Sequence, residues 1–356
     1  MRIPTALALS LVLALPAAAE APDGPAVEAA LSAAADTVAA GYERVATSAE
    51  ALVTATDALC ADPSEAALTG ARDAFADAVL AWSRVEPIRF GPILSDNAAE
   101  RMHFFPDRRG IGLRQVQAAL AETDPAVTDP ATLAGRSVAL QGLGTAEYLL
   151  HGTEAGTLAT PEGAFRCDFA AAVAARLAAT GQEVADAWAD PRGIARRFAH
   201  PAPDHADFQS VDDALRTLVG VFTNGMEGIH DGRVAPYLED GADMTGPRGA
   251  AWTRSGLSGP AIEANLAGLR DLFEGARIES LNAGDHAPLW DEIAFEFDNV
   301  LALMGAFTAD PPPPEAERRD LIGAVWLATG TLRDTFGGRM APALGQSAAF
   351  SVTDGD

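Results

Sequence analysis

The chain contains no lysine among its 356 residues. An enzyme that works through a Schiff base needs a lysine amine as its nucleophile, so the sequence excludes that chemistry. The 25 basic residues other than histidine are all arginines, and they face 50 acidic residues, for a formal net charge of −25. Such a chain is repelled by the phosphates of nucleic acid and by anionic membranes. We therefore expect no nucleic-acid partner.

Long apolar runs are missing except at the N-terminus. There Arg2, an apolar stretch at residues 6–15 and three alanines at residues 17–19 follow one another, which is typical of a secretory signal peptide. The apolar stretch is shorter than the roughly 20 residues that a membrane-spanning helix needs. We expect residues 1–19 to be removed and the mature chain, which has no transmembrane segment, to lie in the periplasm or cell envelope.

Cysteine is nearly absent, since the sequence has only Cys60 and Cys167. In an oxidising compartment an even number of cysteines favours a disulfide, and two free thiols are the alternative. A bridge between residues so far apart in sequence would close a long loop and stabilise the fold by about 3–5 kcal/mol. We favour the disulfide.

Signatures of several enzyme classes are absent as well. The sequence has no His-Glu-x-x-His zinc motif, no Gly-x-Ser-x-Gly turn, no phosphate-binding loop and no Cys-x-x-Cys-His haem attachment site. Serine hydrolysis, nucleotide binding through a P-loop and c-type haem chemistry therefore have no starting point in this chain.

Alanine is abundant, β-branched runs are scarce, and apolar residues recur at spacings of three and four, which predicts an all-α fold. The predicted helices cover residues 26–59, 64–85, 113–121, 130–150, 163–189, 208–229, 259–277, 288–307 and 314–336. The length of the mature chain favours two domains. Because residues 190–207 mix Pro, Arg and His and break the periodicity, we expect an N-terminal domain at residues 20–195 and a C-terminal domain at residues 196–356. A long irregular insert at residues 233–258 is either functional or mobile.

Glu147 is an acidic residue at a position where the predicted helix should carry an apolar side chain. At about 100° per residue, Leu140, Leu143, Ala146 and Leu150 fall on one helix face, and Glu147 projects among them. A buried carboxylate needs a positive or hydrogen-bonding partner, or it stays protonated. One reading is an arginine ion pair that fixes helix packing, and the other is a ligand or acid–base group in a cleft.

The same stretch, GLGTAEYLLH at residues 142–151, resembles the signature of the imelysin family, Gly-x-His-x-x-Glu followed by Tyr-Leu-Leu. Gly142, Glu147 and residues 148–150 match it, whereas Gly144 stands where the family has its histidine. Further segments resemble family segments in family order, at residues 82–92, 105–115, 254–272 and 350–356. The resemblance implies two packed helical bundles and a link with iron acquisition. It also makes the peptidase activity for which the family was named a candidate function.

The resemblance also extends the list of candidate ligand-binding residues beyond Gly142, Gly144 and Glu147. It brings the loop at residues 102–109 near the motif helix, which adds His103, Asp107 and Arg108, with Arg108 or Arg109 as the counter-charge of Glu147. His103 is a candidate replacement for the missing histidine. Arg89 follows Glu86 at a helix end, and we expect the two to pair with each other and to line the cleft.

Glu147 and His151 are spaced i, i+4, so both could reach one metal ion. A histidine at a helix end can instead bond the last carbonyl groups. The sequence identifies no cofactor, and a divalent metal or iron ion is the candidate.

Three functions remain open from the sequence. The first is a non-catalytic envelope protein that binds a metal ion or a small ligand between helical bundles. The second is a metallopeptidase, for which the loss of the motif histidine removes one expected ligand. The third is a scaffold for another envelope protein, in which the former site has degenerated. We favour the first.

Overall fold

The computed structural model describes residues 24–281 and 283–346, and within this part the chain is helical with no strand. The N-terminal half contains α1 Gly24–Ala61, α2 Glu65–Val85, α3 Ala98–Met102, α4 Ile111–Glu122, α5 Pro130–Ala134, α6 Leu143–His151, α7 Ala164–Ala189 and α8 Ile194–Ala199. The C-terminal half contains α9 Val211–Ile229, α10 Ser258–Gly275, α11 Ala283–Phe307, α12 Glu315–Thr335 and α13 Ala341–Ala343. The predicted all-α class is confirmed.

Helix α1 is the central element of the N-terminal half and packs along α7 and α2. Gly181 permits this close packing, because a Cβ there would lie 3.2 Å from the Cα of Ala46 on α1. A disulfide joins Cys60 near the end of α1 to Cys167 near the start of α7. The two longest N-terminal helices are therefore joined covalently at one end and packed through small residues along their length.

The two halves meet where α10 packs against α2. Gly268 lies at the crossing, and a Cβ at this position would overlap the carbonyl group of Arg84 on α2. Across the described residues, the buried apolar side chains form one continuous cluster that runs from Val27 to Leu344. The domain boundary near residue 195 stays a prediction, since the packing is continuous across it.

One predicted helix was wrong. The segment at residues 130–150 is broken into α5, a 3-10 turn at Val138–Leu140 and α6. Gly142 adopts an extended backbone conformation before α6 begins, so Leu140 is not on the same helix as Glu147. The predicted signal peptide and the C-terminal segment at residues 350–356 lie outside the described residues. Among the helices of the described part, none is long and apolar enough to cross a bilayer.

Candidate functional site

A pocket of about 280 Å³ lies at the N-terminal end of α6. Its wall comes from three parts of the chain: the loop between α3 and α4, the first turns of α4 and α6, and residues 249–254 of the irregular segment before α10. The pocket brings together five of the predicted ligand-binding residues, namely His103, Asp107, Gly142, Gly144 and Glu147.

Glu147 is buried, with 4% of its surface exposed. Its Oε1 accepts hydrogen bonds from the backbone N–H groups of Arg254 and Ser255, both at 3.0 Å, and from the Ser255 hydroxyl at 2.9 Å. Its Oε2 lies 3.8 Å from Nη1 of Arg254. Three donors on one oxygen offset the cost of burying the carboxylate. Glu147 therefore holds the irregular segment across the pocket.

The counter-charge predicted for Glu147 was wrong. Arg108 and Arg109 are exposed, and the guanidinium that approaches Glu147 belongs to Arg254. This arginine comes 107 residues later in the chain and also lies over the ring of Tyr148, 5.4 Å from its centroid. Local spacing could not reveal a partner that is supplied by the other half of the molecule.

The two glycines of the motif have different roles. A Cβ on Gly142 would lie 2.8 and 2.9 Å from the carbonyl oxygens of Met102 and Arg101, so the start of α6 approaches the end of α3 too closely for any side chain. Gly144 is exposed, and a Cβ there would meet no atom within 4 Å. The position at which the family carries its histidine is therefore open space beside the pocket.

Asp107 lines the pocket, but its carboxylate is used within the fold. Oδ1 accepts the backbone N–H of Ile111 at 2.7 Å, and Oδ2 accepts those of Gly112 and Leu113 at 2.9 and 3.4 Å. These are donors of the first turn of α4, which have no partner inside the helix. Asp107 therefore caps α4 and fixes the loop that carries His103.

Part of the pocket wall is aromatic. The imidazole of His103 stacks on Trp252 with ring centroids 4.2 Å apart, and on Phe105 at 5.2 Å. Trp252 has a φ of +65°, a left-handed conformation that a bulky residue rarely adopts. Backbone strain of this kind persists only where the surrounding contacts enforce it, and it occurs often at ligand sites.

Behind His103 lies a buried polar network centred on Glu86. The Oε1 atom of Glu86 accepts a hydrogen bond from Nη2 of Arg233 at 2.7 Å and lies 3.1 Å from Nδ1 of His103. Its Oε2 accepts a hydrogen bond from the amide of Asn265 at 3.3 Å. Burial alone would raise the pKa of Glu86, but Arg233 and His103 together hold that pKa well below its usual range. The carboxylate is therefore ionised.

The predicted metal pair is not brought together at the pocket. His151 packs its ring against Phe75 of α2 with centroids 5.4 Å apart, and its Nε2 is buried with no hydrogen-bond partner among the described residues. Burial, together with the nearby charge of Arg72, lowers the pKa of His151 to about 4. Arg89 and Arg108 are exposed and lie outside the pocket wall.

The residues of the pocket do not fit a metal centre built from protein ligands alone. A catalytic metal commonly has three protein ligands and one open position. Within residues 24–281 and 283–346, no group of three or more His, Cys, Asp or Glu side chains could hold a metal ion. Both carboxylates of the pocket are already engaged by backbone N–H groups.

Sequence reasoning missed the residues that the second half of the chain supplies, above all Arg233, Trp252, Arg254 and Ser255. Two signals pointed to them: the long irregular insert at residues 233–258, and the resemblance that begins at residue 254. Neither signal gave the pairing with Glu147 or Glu86, because both contacts join residues more than 100 positions apart.

Comparisons with known proteins agree with this architecture. A family model described as Imelysin matches residues 38–331. No curated protein matches the chain. An imelysin-like protein from Psychrobacter arcticum 273-4 shares 18% identity and a TM-score of 0.71, covering 93% of this chain and 100% of that chain.

A second solved structure, from Parabacteroides distasonis ATCC 8503, is named as a candidate iron-regulated protein A precursor. It shares 14% identity and a TM-score of 0.70, covering 89% of this chain and 96% of that chain. Identities this low show a shared fold, whereas the family model spans most of the chain. The chain belongs to the imelysin family.

Proposed function

We propose that this protein is an exported, non-catalytic binding protein that takes a small organic ligand in the pocket beside Glu147. The observation that carries the proposal is that both carboxylates of the pocket are occupied by hydrogen bonds within the protein. Glu147 and Asp107 bind backbone N–H groups and shape the wall, while the space at Gly144 stays open. The pocket is much larger than a single ion needs, and aromatic rings form part of its wall.

The chemistry of the wall favours a ligand with both a flat apolar part and polar groups. Aromatic rings bind such a ligand by stacking, and the guanidinium of Arg254 attracts an acceptor or an anionic group. A few convergent polar groups in an otherwise apolar concave site are typical of small-molecule pockets. The name of the Parabacteroides relative supports a setting in iron-regulated physiology, so an iron-bearing chelate is one form that the ligand can take.

The test uses a variant in which the open space is filled. Mature wild-type protein, Gly144→Phe and Gly305→Phe are dialysed against a small-molecule extract of the bacterium that encodes the chain, and the retained molecules are identified by mass spectrometry. Gly305 on α11 is a matched control, because a Cβ there also meets nothing within 4 Å. We expect a compound that wild type and Gly305→Phe retain and that Gly144→Phe does not. Retention that is indifferent to residue 144 would contradict the proposal.

The two alternatives predict different results. A metallopeptidase of the imelysin type would cleave unfolded substrates in a way that a chelator abolishes. A scaffold protein would co-purify with another envelope protein and would retain no small molecule.

A further inference from the structure

Glu86 does not line the pocket itself, but it contacts His103, which does. It is 8% exposed, and it lies directly after α2, which ends at Val85. Its carboxylate is shared by three side chains from three segments of the chain: His103, Arg233 and Asn265. Only His103 among these three also lines the pocket.

The protonation of the imidazole follows from this geometry. An ionised carboxylate can only accept hydrogen bonds, and Glu86 is ionised because Arg233 lies 2.7 Å from it. The Nδ1 atom of His103, at 3.1 Å from Oε1 of Glu86, must therefore carry the hydrogen. In a neutral imidazole the other nitrogen then has a lone pair. Burial lowers the pKa of His103, which favours the neutral ring.

We infer that Glu86 is a positioning residue that fixes His103 in the Nδ1–H form, so that His103 offers the lone pair of Nε2 to the ligand. The inference rests on the proposed function, because it takes the ligand to occupy the pocket that His103 lines. It adds a requirement on ligand chemistry: the group that meets His103 must take up a lone pair, as a hydroxyl or an amine N–H does when it donates a hydrogen bond.

Two further contacts keep the ring in place. The imidazole is stacked on both Trp252 and Phe105, and the guanidinium of Arg233 lies over the ring of Phe105, 4.1 Å from its centroid. The ring of His103 therefore cannot rotate about its Cβ–Cγ bond, which would carry Nδ1 away from Glu86, without disrupting this stack. A carboxylate that orients a histidine from behind is a recurring way to set which nitrogen is free.

The test is nitrogen NMR of the six histidine side chains in the mature protein without added ligand. His103→Gln assigns the His103 signals by their loss. We expect Nδ1 of His103 to carry the hydrogen and Nε2 to show the shift of an unprotonated nitrogen at pH 7. A hydrogen on Nε2 of His103 in the wild type would overturn the inference.

Glu86→Gln tests the cause of this preference. A glutamine can donate as well as accept, so we expect the Nε2 signal of His103 to move toward the protonated position. Asn265→Ala is the control, because it removes one partner of Glu86 and leaves the carboxylate, and we expect it to leave the signals unchanged. Identical His103 signals in wild type and Glu86→Gln would overturn the assignment of Glu86. The measurement needs no ligand, so its failure is distinct from a failure of the proposed function.

Discussion

At the scale of single residues, Glu147 has a structural task that its position in the motif does not reveal. Its buried Oε1 binds three donors of the irregular segment, so that segment depends on it. The burial of the side chain could be predicted from the apolar residues around it. The identity of the partners could not, because Arg254 and Ser255 are brought to it only by the packing of the two halves.

Glu147→Ala should lower the free energy of unfolding by about 3 kcal/mol, because it leaves buried donors without an acceptor. Urea denaturation of the purified protein measures the change. Glu122→Gln, at the exposed end of α4, is the control and should change stability by less than about 0.5 kcal/mol. Equal stability of wild type and Glu147→Ala would show that the three hydrogen bonds do not form.

His151 should make stability depend on pH. Its pKa is about 4 in the folded protein and 6.5 when unperturbed. As the pH falls, His151 therefore binds a proton in the unfolded state before it does so in the folded state. The free energy of unfolding should fall as the pH drops from 6.5 toward 4. His151→Gln should reduce the loss of stability between pH 7 and pH 5, measured by urea denaturation at each pH. His200→Gln, which removes a more exposed histidine, should leave that loss as it is in wild type.

At the scale of elements, the long helices could be predicted from apolar periodicity and the site could not. The predicted helices at residues 26–59 and 163–189 closely match α1 and α7. The predicted helix at residues 130–150 failed because Gly142 needs close contact with α3 and an extended conformation. The spacing of apolar residues indicates which face of a helix is buried. It does not indicate where a contact with another part of the chain interrupts the helix.

The crossing of α2 and α10 gives a prediction at this scale. Gly268→Ala should lower the free energy of unfolding by about 1–3 kcal/mol or more, because the new methyl group forces the two helices apart. Gly323→Ala is the matched control on α12, where a Cβ meets no atom within 4 Å, and it should stabilise by up to about 1 kcal/mol. Thermal unfolding compares the two variants. A Gly268→Ala protein as stable as wild type would mean that α10 does not pack this closely on α2.

At the scale of the whole molecule, the disulfide and the Glu86 network connect parts of the chain that are far apart in sequence. Cys60 and Cys167 are 107 residues apart. Glu86 and Arg233 join the N-terminal half to the segment after α9. Two cysteines and the expectation of an oxidising compartment were enough to predict the bridge, whereas the network required the packed structure.

Replacing both cysteines by alanine should lower the free energy of unfolding by about 4–5 kcal/mol, because the unfolded chain regains the freedom of a loop of that length. Denaturation of the double variant measures this loss. Treatment of wild type with a reductant under unfolding conditions should reproduce it. Stability that is unaffected by both changes would contradict a bridge between these residues.

The proposed function requires that Glu147 binds the protein's own backbone rather than an ion. Calorimetric titration of the wild type and of Glu147→Gln with Zn²⁺ and with Fe²⁺ tests this most directly. We predict that any uptake of these ions is the same in the two proteins. Tight binding of one ion per chain that is lost in Glu147→Gln would contradict the account and restore a metal centre at this position.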